Sequence, residues 1–395
     1  MVNWIECNIS KIGEVIGGGT PSTKVVENYL NGTISWITPK DLSNFKERYI
    51  EKGERNITEI GLKNSAAKLL PKNTILFSSR APIGYIAIAK KELCTNQGFK
   101  SIIPNENIDY LFLYYLLKYK KRDIENMASG TTFKEISGNA MKNVKIKIPD
   151  SKQYQRRIAK ILSSIDDKIE LNNKINDNLL NQALTIYNHK IKPFHKNGCI
   201  GDYCTVKSGF AFKSAWWVDE GIKVIKISSI NQDYLNIHEC SFVSADKQEK
   251  AKDFAVTFGD LLIAMTGATI GKFAMVPYTS ETLLVNQRVG KFYLGNNPIE
   301  KLPFIYCTLK QSDVYTEIIH RGQGSAQANI SASDIMNVSC SIPQNDIINE
   351  FNYITMPLFN LILKNQYENE NLKLLRNTLL PKLMSKNFSL SNIQI

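Results

Sequence analysis

LFSSRAPIG at residues 76–84 and IAMTGATIG at residues 263–271 are two versions of one pattern, which opens on apolar residues and ends on Ile-Gly. Other matching residues follow in the same order in both halves of the chain. They are Gly84 with Gly271, Gln97 with Gln287, Ser137 with Ser331, and Pro149 with Pro343, at offsets of 187, 190, 194 and 194 residues. Because the offset only grows, as small loop insertions in the second copy would produce, the sequence predicts a tandem repeat of one unit.

The first part of each copy has the pattern of a mixed α and β domain. Short apolar runs such as residues 74–77 and 85–89 flank Gly and Pro, which is typical of strands joined by turns. Residues 108–120 carry apolar side chains at helical spacing, and their counterpart begins near Pro303. The predicted fold class is therefore α+β.

Each copy ends in a run with the pattern of a long helix, from Pro149 to about Asn188 and again after Pro343. Apolar residues recur there at steps of three and four, which suits the packing of one helix on another, including a coiled coil. The predicted packing residues are Ile158, Leu162, Ile165, Ile169, Ile175, Leu179, Phe351, Ile354, Leu358, Ile362, Leu372 and Leu375. The alternative is that each helix packs only on its own domain. Pro357 lies inside the second run, where a proline is able to kink a helix.

These patterns divide the chain into four segments. Residues 1–150 are the first domain and residues 151–190 the first long helix. Residues 191–343 are a linker and the second domain, and residues 344–395 are the second long helix with a C-terminal tail. Pro193 and Gly198 punctuate a basic stretch, which identifies the linker.

The composition indicates a globular protein with a basic surface. Of its 395 residues, 43% are hydrophobic and 22% charged, and 49 Lys and Arg against 37 Asp and Glu give a net charge of +12. This excess favours a polyanionic partner, although a solvated Lys-rich surface has the same composition. The sequence has no apolar run near the ~20 residues that span a bilayer and no signal-peptide layout, so we expect a cytoplasmic protein without membrane contact. The seven scattered Cys are expected to be reduced and buried.

The patterns in the sequence that come nearest to a catalytic or metal-binding site are incomplete. Residues 267–273, GATIGKF, have three residues between the glycines and no hydroxyl after the lysine, whereas a phosphate-binding loop needs four and a Ser or Thr. Cys199 and Cys204 lie near His189 and His195, but their spacing is not that of a zinc site. The four His are not shared between the copies. The sequence thus predicts no catalytic residue and no metal in this chain.

The repeat resembles the specificity subunit of type I restriction–modification systems. The resemblance covers nearly the whole chain and rests on GGGTPS at residues 17–22, SRAPIG at residues 79–84, TNQG at residues 95–98, and the helix after Pro149 that carries Gln155 and Arg157. In the second copy, Gly267 takes the place of Arg80, and SGFAF at residues 208–212 replaces the Gly-Thr-Pro-Ser opening. Both are familiar variants in such subunits.

The resemblance implies two target recognition domains, each reading one half of a bipartite and asymmetric site in double-stranded DNA. The two helices would pack as an antiparallel coiled coil that sets the spacing and docks two methyltransferase subunits. S-adenosylmethionine would bind to those subunits, and ATP and magnesium to two restriction subunits. This chain would be a non-catalytic subunit with no cofactor of its own.

Polar and basic loop residues are the candidates for contacts with DNA. They are Thr38, Lys40, Arg80, Gln97 and Lys134 in the first copy, and Lys213, Lys226, Gln287, Arg288, Arg321 and Gln323 in the second. For Arg80 and Gln97 the alternative is that they brace their own loops, and for the lysines that they only face solvent. At the level of the whole chain, the alternatives are a coiled-coil scaffold that joins two protein-binding domains and an enzyme with an unrecognised site.

Overall fold

The computed structural model of the chain describes residues 2–43, 45–80, 82–129, 134–323 and 328–385. It contains two compact units. Unit 1 is Met1–Glu170 with Leu372–Ile395, and unit 2 is Leu171–Asn371. Both long helices are therefore divided between the units, although the sequence pattern placed each helix after its domain as a separate segment. The C-terminal tail after residue 385 lies outside the described residues.

Unit 1 is built from short strands in three sheets. The strands are β1 (Trp4–Asn8), β2 (Gly13–Gly17), β3 (Ile34–Ile37), β4 (Tyr49–Ile50), β5 (Arg55–Ile57), β6 (Ile75–Phe77), β7 (Ile86–Ala89), β8 (Cys94–Thr95), β9 (Lys100–Pro104) and β10 (Lys145–Pro149). The sheet orders are β2-β9-β6-β7-β4, β5-β3-β8 and β1-β10. β3 and β8 run parallel, as do β4 and β7.

The helices of unit 1 are α1 (Glu59–Lys63), α2 (Tyr110–Asn126), α3 (Gly138–Lys142) and the first part of α4 (Lys152–Lys190). Asp109 caps α2, because its Oδ1 accepts the backbone N–H of Phe112 at 2.9 Å. The buried Gln155 of α4 accepts the backbone N–H of Asp109 at 2.9 Å and donates to the carbonyl of Pro149 at 2.9 Å. This glutamine fixes α2 and the end of β10 against α4.

Unit 2 repeats this plan with additions. Its strands are β11 (Gly198–Cys199), β12 (Thr205–Ser208), β13 (Trp217–Val218), β14 (Ile222–Ile225), β15 (Ile230–Asn231), β16 (Tyr234–Leu235), β17 (Ser241–Val243), β18 (Ala255–Val256), β19 (Leu261–Ala264), β20 (Phe273–Met275), β21 (Leu283–Val285), β22 (Val289–Tyr293) and β23 (Ser339–Cys340). Its helices are α5 (Ile200–Tyr203), α6 (Leu302–Leu309), α7 (Ser312–Gly322), α8 (Ala332–Met336) and most of α9 (Asn345–Leu383), with the second half of α4.

The sheet orders confirm the internal repeat. The order β2-β9-β6-β7 in unit 1 corresponds to β12-β22-β19-β20 in unit 2, and β5-β3-β8 corresponds to β17-β14-β21. β14 and β21 are parallel, like β3 and β8. The chain has the predicted α+β fold, in which each copy ends in a long helix. No helix in the described parts of the chain is long and apolar enough to cross a membrane.

The two long helices pack against each other in both units, and their directions are opposite. In unit 1, Ile158 and Leu162 of α4 share a core with Leu383 at the end of α9. In unit 2, Tyr187 near the end of α4 shares a core with Phe351 near the start of α9. The antiparallel helix pair is therefore present. α9 continues as one helix through Pro357.

Ten of the twelve predicted packing residues are buried or partly buried. Ile158, Leu162, Ile165, Ile169, Phe351 and Ile362 are buried, and Ile175, Leu179, Leu358 and Leu372 are partly buried. The prediction is wrong for Ile354 and Leu375, which are 41% and 47% exposed.

The adjacent polar residues Thr355 and Arg376 face inward where the sequence pattern had placed Ile354 and Leu375. Thr355 is fully buried, because its hydroxyl donates to the carbonyl of Phe351 at 2.7 Å and its methyl group can then face the core. Arg376 turns inward because its guanidinium reaches Asp166 at 2.6 Å.

Charged groups attach the helices to the domain of unit 1. The Arg48 side chain is only 6% exposed, and its Nε lies 2.8 Å from Oε1 of Glu170 on α4, with Asp167 also in contact. Asp166 accepts the Tyr115 hydroxyl at 2.7 Å and pairs with Arg376. Burial opposes ionisation of Asp166, but the charges of Lys118 and Arg376 and the hydrogen bonds from Tyr115 and Arg376 outweigh it and lower the pKa of Asp166.

In unit 2 the helix pair contains a polar layer made of asparagines. Nδ2 of the buried Asn172 donates to Oε2 of Glu368 at 2.8 Å and to Oδ1 of Asn369 at 3.0 Å. Asn369 donates in turn to Asn173 at 2.9 Å. Since a buried amide is satisfied only when its partner stands opposite, this layer selects one register of the two helices.

Candidate DNA interface

Equivalent pairs of parallel strands present the candidate loops in both units. In unit 1 the backbone N–H of Asn96, after β8, donates to the carbonyl of Ile37, the last residue of β3, at 2.9 Å. In unit 2 the N–H of Asn286, after β21, donates to the carbonyl of Ile225, the last residue of β14, at 3.0 Å. Because parallel strands end at the same edge of a sheet, the residues that follow each pair come together there.

The opening segment of each copy crosses the same edge, and a glycine allows the approach. The N–H of Gly19 donates to the carbonyl of Thr95 at 2.9 Å, and the N–H of Phe210 donates to that of Val285 at 2.8 Å. A Cβ on Gly18 would lie 2.1 Å from a backbone oxygen, and one on Gly209 would lie 2.3 Å from another. The two openings differ in sequence but share this place in the fold because both supply a glycine there.

In unit 1 this edge gathers Thr38 and Gln97. Thr38 is used internally, because its hydroxyl and its backbone N–H each lie 2.7 Å from the Asp41 carboxylate. Gln97 is exposed, and its Oε1 accepts the hydroxyl of Thr20 from the opening segment. Lys40 is exposed and pairs with the exposed Glu54 at 2.8 Å. Gln97 and Lys40 are thus the accessible candidates at this edge.

Arg80 lies close to the segment that carries Lys134. The Arg80 side chain is 38% exposed and lies 3.6 Å from Glu135, which also pairs with Lys100 at 3.2 Å. Lys134 is exposed. Arg80 therefore ties its loop to the segment that carries Glu135, while part of its side chain remains open to solvent.

Hydrogen bonds correct the sequence alignment around Arg80. The N–H of Ser79 donates to the carbonyl of Gly98 at 2.7 Å, and the N–H of Met265 donates to that of Arg288 at 3.0 Å. Ser79 is thus equivalent to Met265, and Thr266 rather than Gly267 occupies the place of Arg80. One extra residue lies in the second loop, where Gly267 has a φ of +70°.

In unit 2 the structure brings Lys213 and Lys226 to a pair of tryptophans. The Lys213 ammonium lies 5.9 Å from the ring centre of Trp216, and the Lys226 ammonium lies 3.5 Å from that of Trp217. Burial lowers the pKa of Lys226. Gln287 lies beside this group, because its backbone N–H donates to the carbonyl of Phe210 at 2.9 Å. The Gln287 side chain is exposed.

The remaining candidates of unit 2 separate into exposed and braced residues. Arg288 and Gln323 are exposed. Arg321 is held by Glu317 of its own helix at 2.8 Å, and it donates to the carbonyl of Asn337 at 3.0 Å. The guanidinium of Arg321 therefore ties α7 to the end of α8.

Sequence reasoning missed the aromatic residues and two further lysines of this group. Lys247 and Lys250 lie 5.7 and 5.6 Å from the ring centre of Trp216. A signal was present in the adjacent Trp216 and Trp217 that closely follow Lys213, since aromatic and basic residues alternate in nucleic-acid contacts. The convergence of Lys247 and Lys250 on the same ring depends on the fold and leaves no local pattern.

Cys199 and Cys204 have structural places in the fold. No group of three or more His, Cys, Asp or Glu that could hold a metal ion occurs in the described ranges. Asp202 instead accepts the backbone N–H of Cys199 at 2.8 Å, and Cys204 is buried. The glycine-rich loop at residues 267–271 is a turn between β19 and β20, in which the N–H of Gly271 returns to the carbonyl of Ala264 at 2.9 Å.

The duplicated frame agrees with the similarity of the chain to known proteins. The model of the type I restriction modification DNA specificity domain matches the chain twice, at residues 1–181 and 195–370. The chain belongs to this specificity family. Its family resemblance, expected from the sequence motifs, is thereby confirmed.

Two relatives and one solved structure illustrate the extent of the similarity. The chain is 34% identical to the specificity subunit of the type I restriction enzyme MjaIX from Methanocaldococcus jannaschii, over 97% of this chain and 93% of that protein. It is 33% identical to the EcoR124I/EcoR124II specificity subunit from Escherichia coli over 43% of this chain and 42% of that protein. The crystal structure of the S subunit from M. genitalium has the same fold, with a TM-score of 0.57 and 19% identity over 98% of this chain and 97% of that one.

Proposed function

We propose that the chain is the DNA sequence-specificity subunit of a type I restriction–modification complex, and that each unit reads one half of a bipartite, asymmetric target. The observation that carries this proposal is that the two units share one frame but present different side chains from it. The edge formed by β3 and β8 presents Gln97 with Thr20, whereas the edge formed by β14 and β21 presents Gln287 with lysines and tryptophans. Different side chains at equivalent positions favour different bases.

In this proposal the long helices space the two recognition domains and dock the methyltransferase subunits. α9 carries Tyr353, Ile354 and Leu361, whose exposures are 78%, 41% and 41%. Ile354 and Leu361 are about two helical turns apart and therefore on one face, and Tyr353 adjoins them, so the three residues lie within an arc of about 100°. Exposed apolar residues grouped in this way are typical of a surface that a partner covers.

The catalytic work belongs to the partners in this assignment. Two methyltransferase subunits would bind S-adenosylmethionine, and two restriction subunits would bind ATP and magnesium. Two methyltransferase subunits fit a chain in which each unit holds one part of both long helices, because each unit then offers an equivalent docking place. This chain would act as the non-catalytic subunit that directs both activities to one DNA sequence.

A domain exchange tests the proposal. The chain is co-expressed with its methyltransferase, and methylated sites in the host genome are sequenced. Replacing residues 1–150 by those of a relative should change one half of a split motif, and replacing residues 191–343 should change only the other half. A change in both halves from one exchange, or in neither, would contradict the modular assignment. A complex that binds no DNA even at low salt would favour the protein scaffold instead.

A further inference from the structure

Unit 2 holds a cluster of lysines on an aromatic base that has no counterpart among the described residues of unit 1. We name it the lysine–tryptophan platform, and its members are Lys213, Trp216, Trp217, Lys226, Lys247 and Lys250. Three ammonium groups lie within 6 Å of the centre of one indole ring, that of Trp216.

The aromatic base of the platform is fixed by the core. The ring of Phe210 stacks on Trp216 with centres 5.9 Å apart and planes 14° apart, and Phe212 lies 5.5 Å from Trp217. Both tryptophans pack on a buried cluster that includes Val224. The platform is therefore positioned before any ligand arrives, which lowers the entropy that binding costs.

Within the described residues, the charge of the platform is only partly neutralised. Asp246 pairs with Lys247. Lys213 and Lys250 have no carboxylate within 4 Å in the part of the chain that the structure describes. One exposed cation on an aromatic face gains about 0.5–1 kcal/mol, but several like charges around one ring also repel one another. The arrangement thus fits a ligand with closely spaced negative charges.

The position of the platform in the fold identifies which ligand that is. Gln287 of the candidate reading loop is hydrogen-bonded through its backbone N–H to Phe210, which is the ring stacked on Trp216. Lys226 follows β14 directly and lies at the same edge. Lysine ammonium groups are point charges without the fork that reads base edges, so they suit phosphates.

We propose that the lysine–tryptophan platform binds the sugar–phosphate backbone of the DNA beside the half-site that unit 2 reads. The ammonium groups of Lys213, Lys247 and Lys250 contact phosphates, and the Trp216 ring supports them and packs on the sugars. The platform fixes the register of the Gln287 loop without itself selecting a base. This inference rests on the proposed function, because it assigns a role within the same DNA interface.

Salt-dependent binding of the chain in complex with its methyltransferase tests the inference. The affinity for a labelled DNA duplex is measured between 50 and 200 mM salt. One duplex carries the sequence that the complex methylates, and the other carries an unrelated sequence. Each phosphate contact contributes about 0.9 to the slope of log K against log salt, so Lys213→Gln/Lys247→Gln/Lys250→Gln should lower the slope by about 2 to 3. We expect both duplexes to lose affinity by a similar factor, of about tenfold or more, and the methylation motif to stay unchanged.

Lys252 provides the matched control. It lies on the same short helical segment as Lys250, is 61% exposed and pairs with Glu249 rather than facing Trp216. Lys250→Gln should lower the salt slope by about 1, while Lys252→Gln should leave it unchanged. Trp216→Leu should weaken binding to both duplexes. Trp216→Phe should retain most of the wild-type affinity, because it keeps an aromatic face.

The possible outcomes separate this inference from the proposed function. Equal slopes for the triple variant and the Lys252→Gln control would overturn the platform while leaving the specificity assignment intact. A loss of affinity for the target alone, or an altered motif, would show that the platform reads bases and would overturn the backbone assignment. A wild-type complex without DNA binding would refute the proposed function and this inference together.

Discussion

Replacing Arg48 with methionine removes a guanidinium that ties the domain of unit 1 to helix α4. The change leaves the Glu170 carboxylate, whose side chain is 17% exposed, with the backbone N–H of residue 48 at 3.0 Å as its remaining partner from that segment. Methionine keeps much of the aliphatic stem, so the loss reports the ion pair more than the packing. The contact to Asp167 adds little, because that side chain is 65% exposed.

The expected cost follows from the burial of the pair. Removing one partner of a buried ion pair costs about 3–5 kcal/mol, and the residual solvent access of Glu170 places Arg48→Met near 3 kcal/mol, at the lower end. Replacing both partners with apolar residues is often nearly neutral. Arg48→Met/Glu170→Leu should therefore regain most of the stability, with a coupling of about 2 kcal/mol between the two sites.

Native-state amide hydrogen exchange is the suitable assay, because a chain with two units need not unfold in one step. Protection of α2 in unit 1 should fall in Arg48→Met, while protection of α6 in unit 2 should stay unchanged. Lys40→Met is the matched control, since it breaks an exposed pair in the same domain and should leave protection as in the wild type. A coupling below about 0.5 kcal/mol would refute the role assigned to this pair.

Three further outcomes are expected. The folded pKa of Asp166 lies below its unfolded value, so its contribution to the stability of unit 1 is complete above about pH 4 and is lost as the pH falls through the folded pKa. The free energy of unfolding, measured from pH 7 to pH 3, should therefore fall less steeply in Asp166→Asn than in the wild type. Asn172→Leu/Asn369→Leu should raise the free energy of unfolding of unit 2 by about 1–3 kcal/mol and permit a second helix register, detectable by cross-linking; lower stability would contradict this. Tyr353→Glu/Leu361→Glu should lower the methyltransferase content of the purified complex from two subunits to one while the circular dichroism spectrum stays unchanged, and an unchanged content would exclude this docking face.

The sequence was sufficient to predict the repeat, the α+β fold and the long helices. Each depends on patterns that extend over many residues, where single exceptions do not matter. Individual positions were harder to predict. Thr355 and Arg376 turn inward only because a backbone carbonyl and Asp166 satisfy them. Polarity alone would have placed both side chains in solvent.

The candidate interface was predictable only in part. Gln97 and Gln287 were found because they occupy matching places in a repeated motif, and the structure sets both at the edge of a parallel strand pair. Thr38 and Arg321 were nominated for their chemistry, but Asp41 and Glu317 engage them. Both partners lie within four residues in the sequence, so a capping box and an i,i+4 ion pair could have indicated them. Glu135, the partner of Arg80, lies in a separate segment that only the fold brings near.

The division of the long helices has a consequence for protein synthesis. Unit 2 is continuous from Leu171 to Asn371, whereas unit 1 needs the end of α9, where Leu383 and Met384 are only 2% and 4% exposed. At about 5–20 residues per second, the ribosome takes some ten to forty seconds to reach that end after completing the first segment of unit 1. Unit 2 can therefore fold first, while part of the apolar surface of unit 1 stays accessible to chaperones until the end of α9 is made.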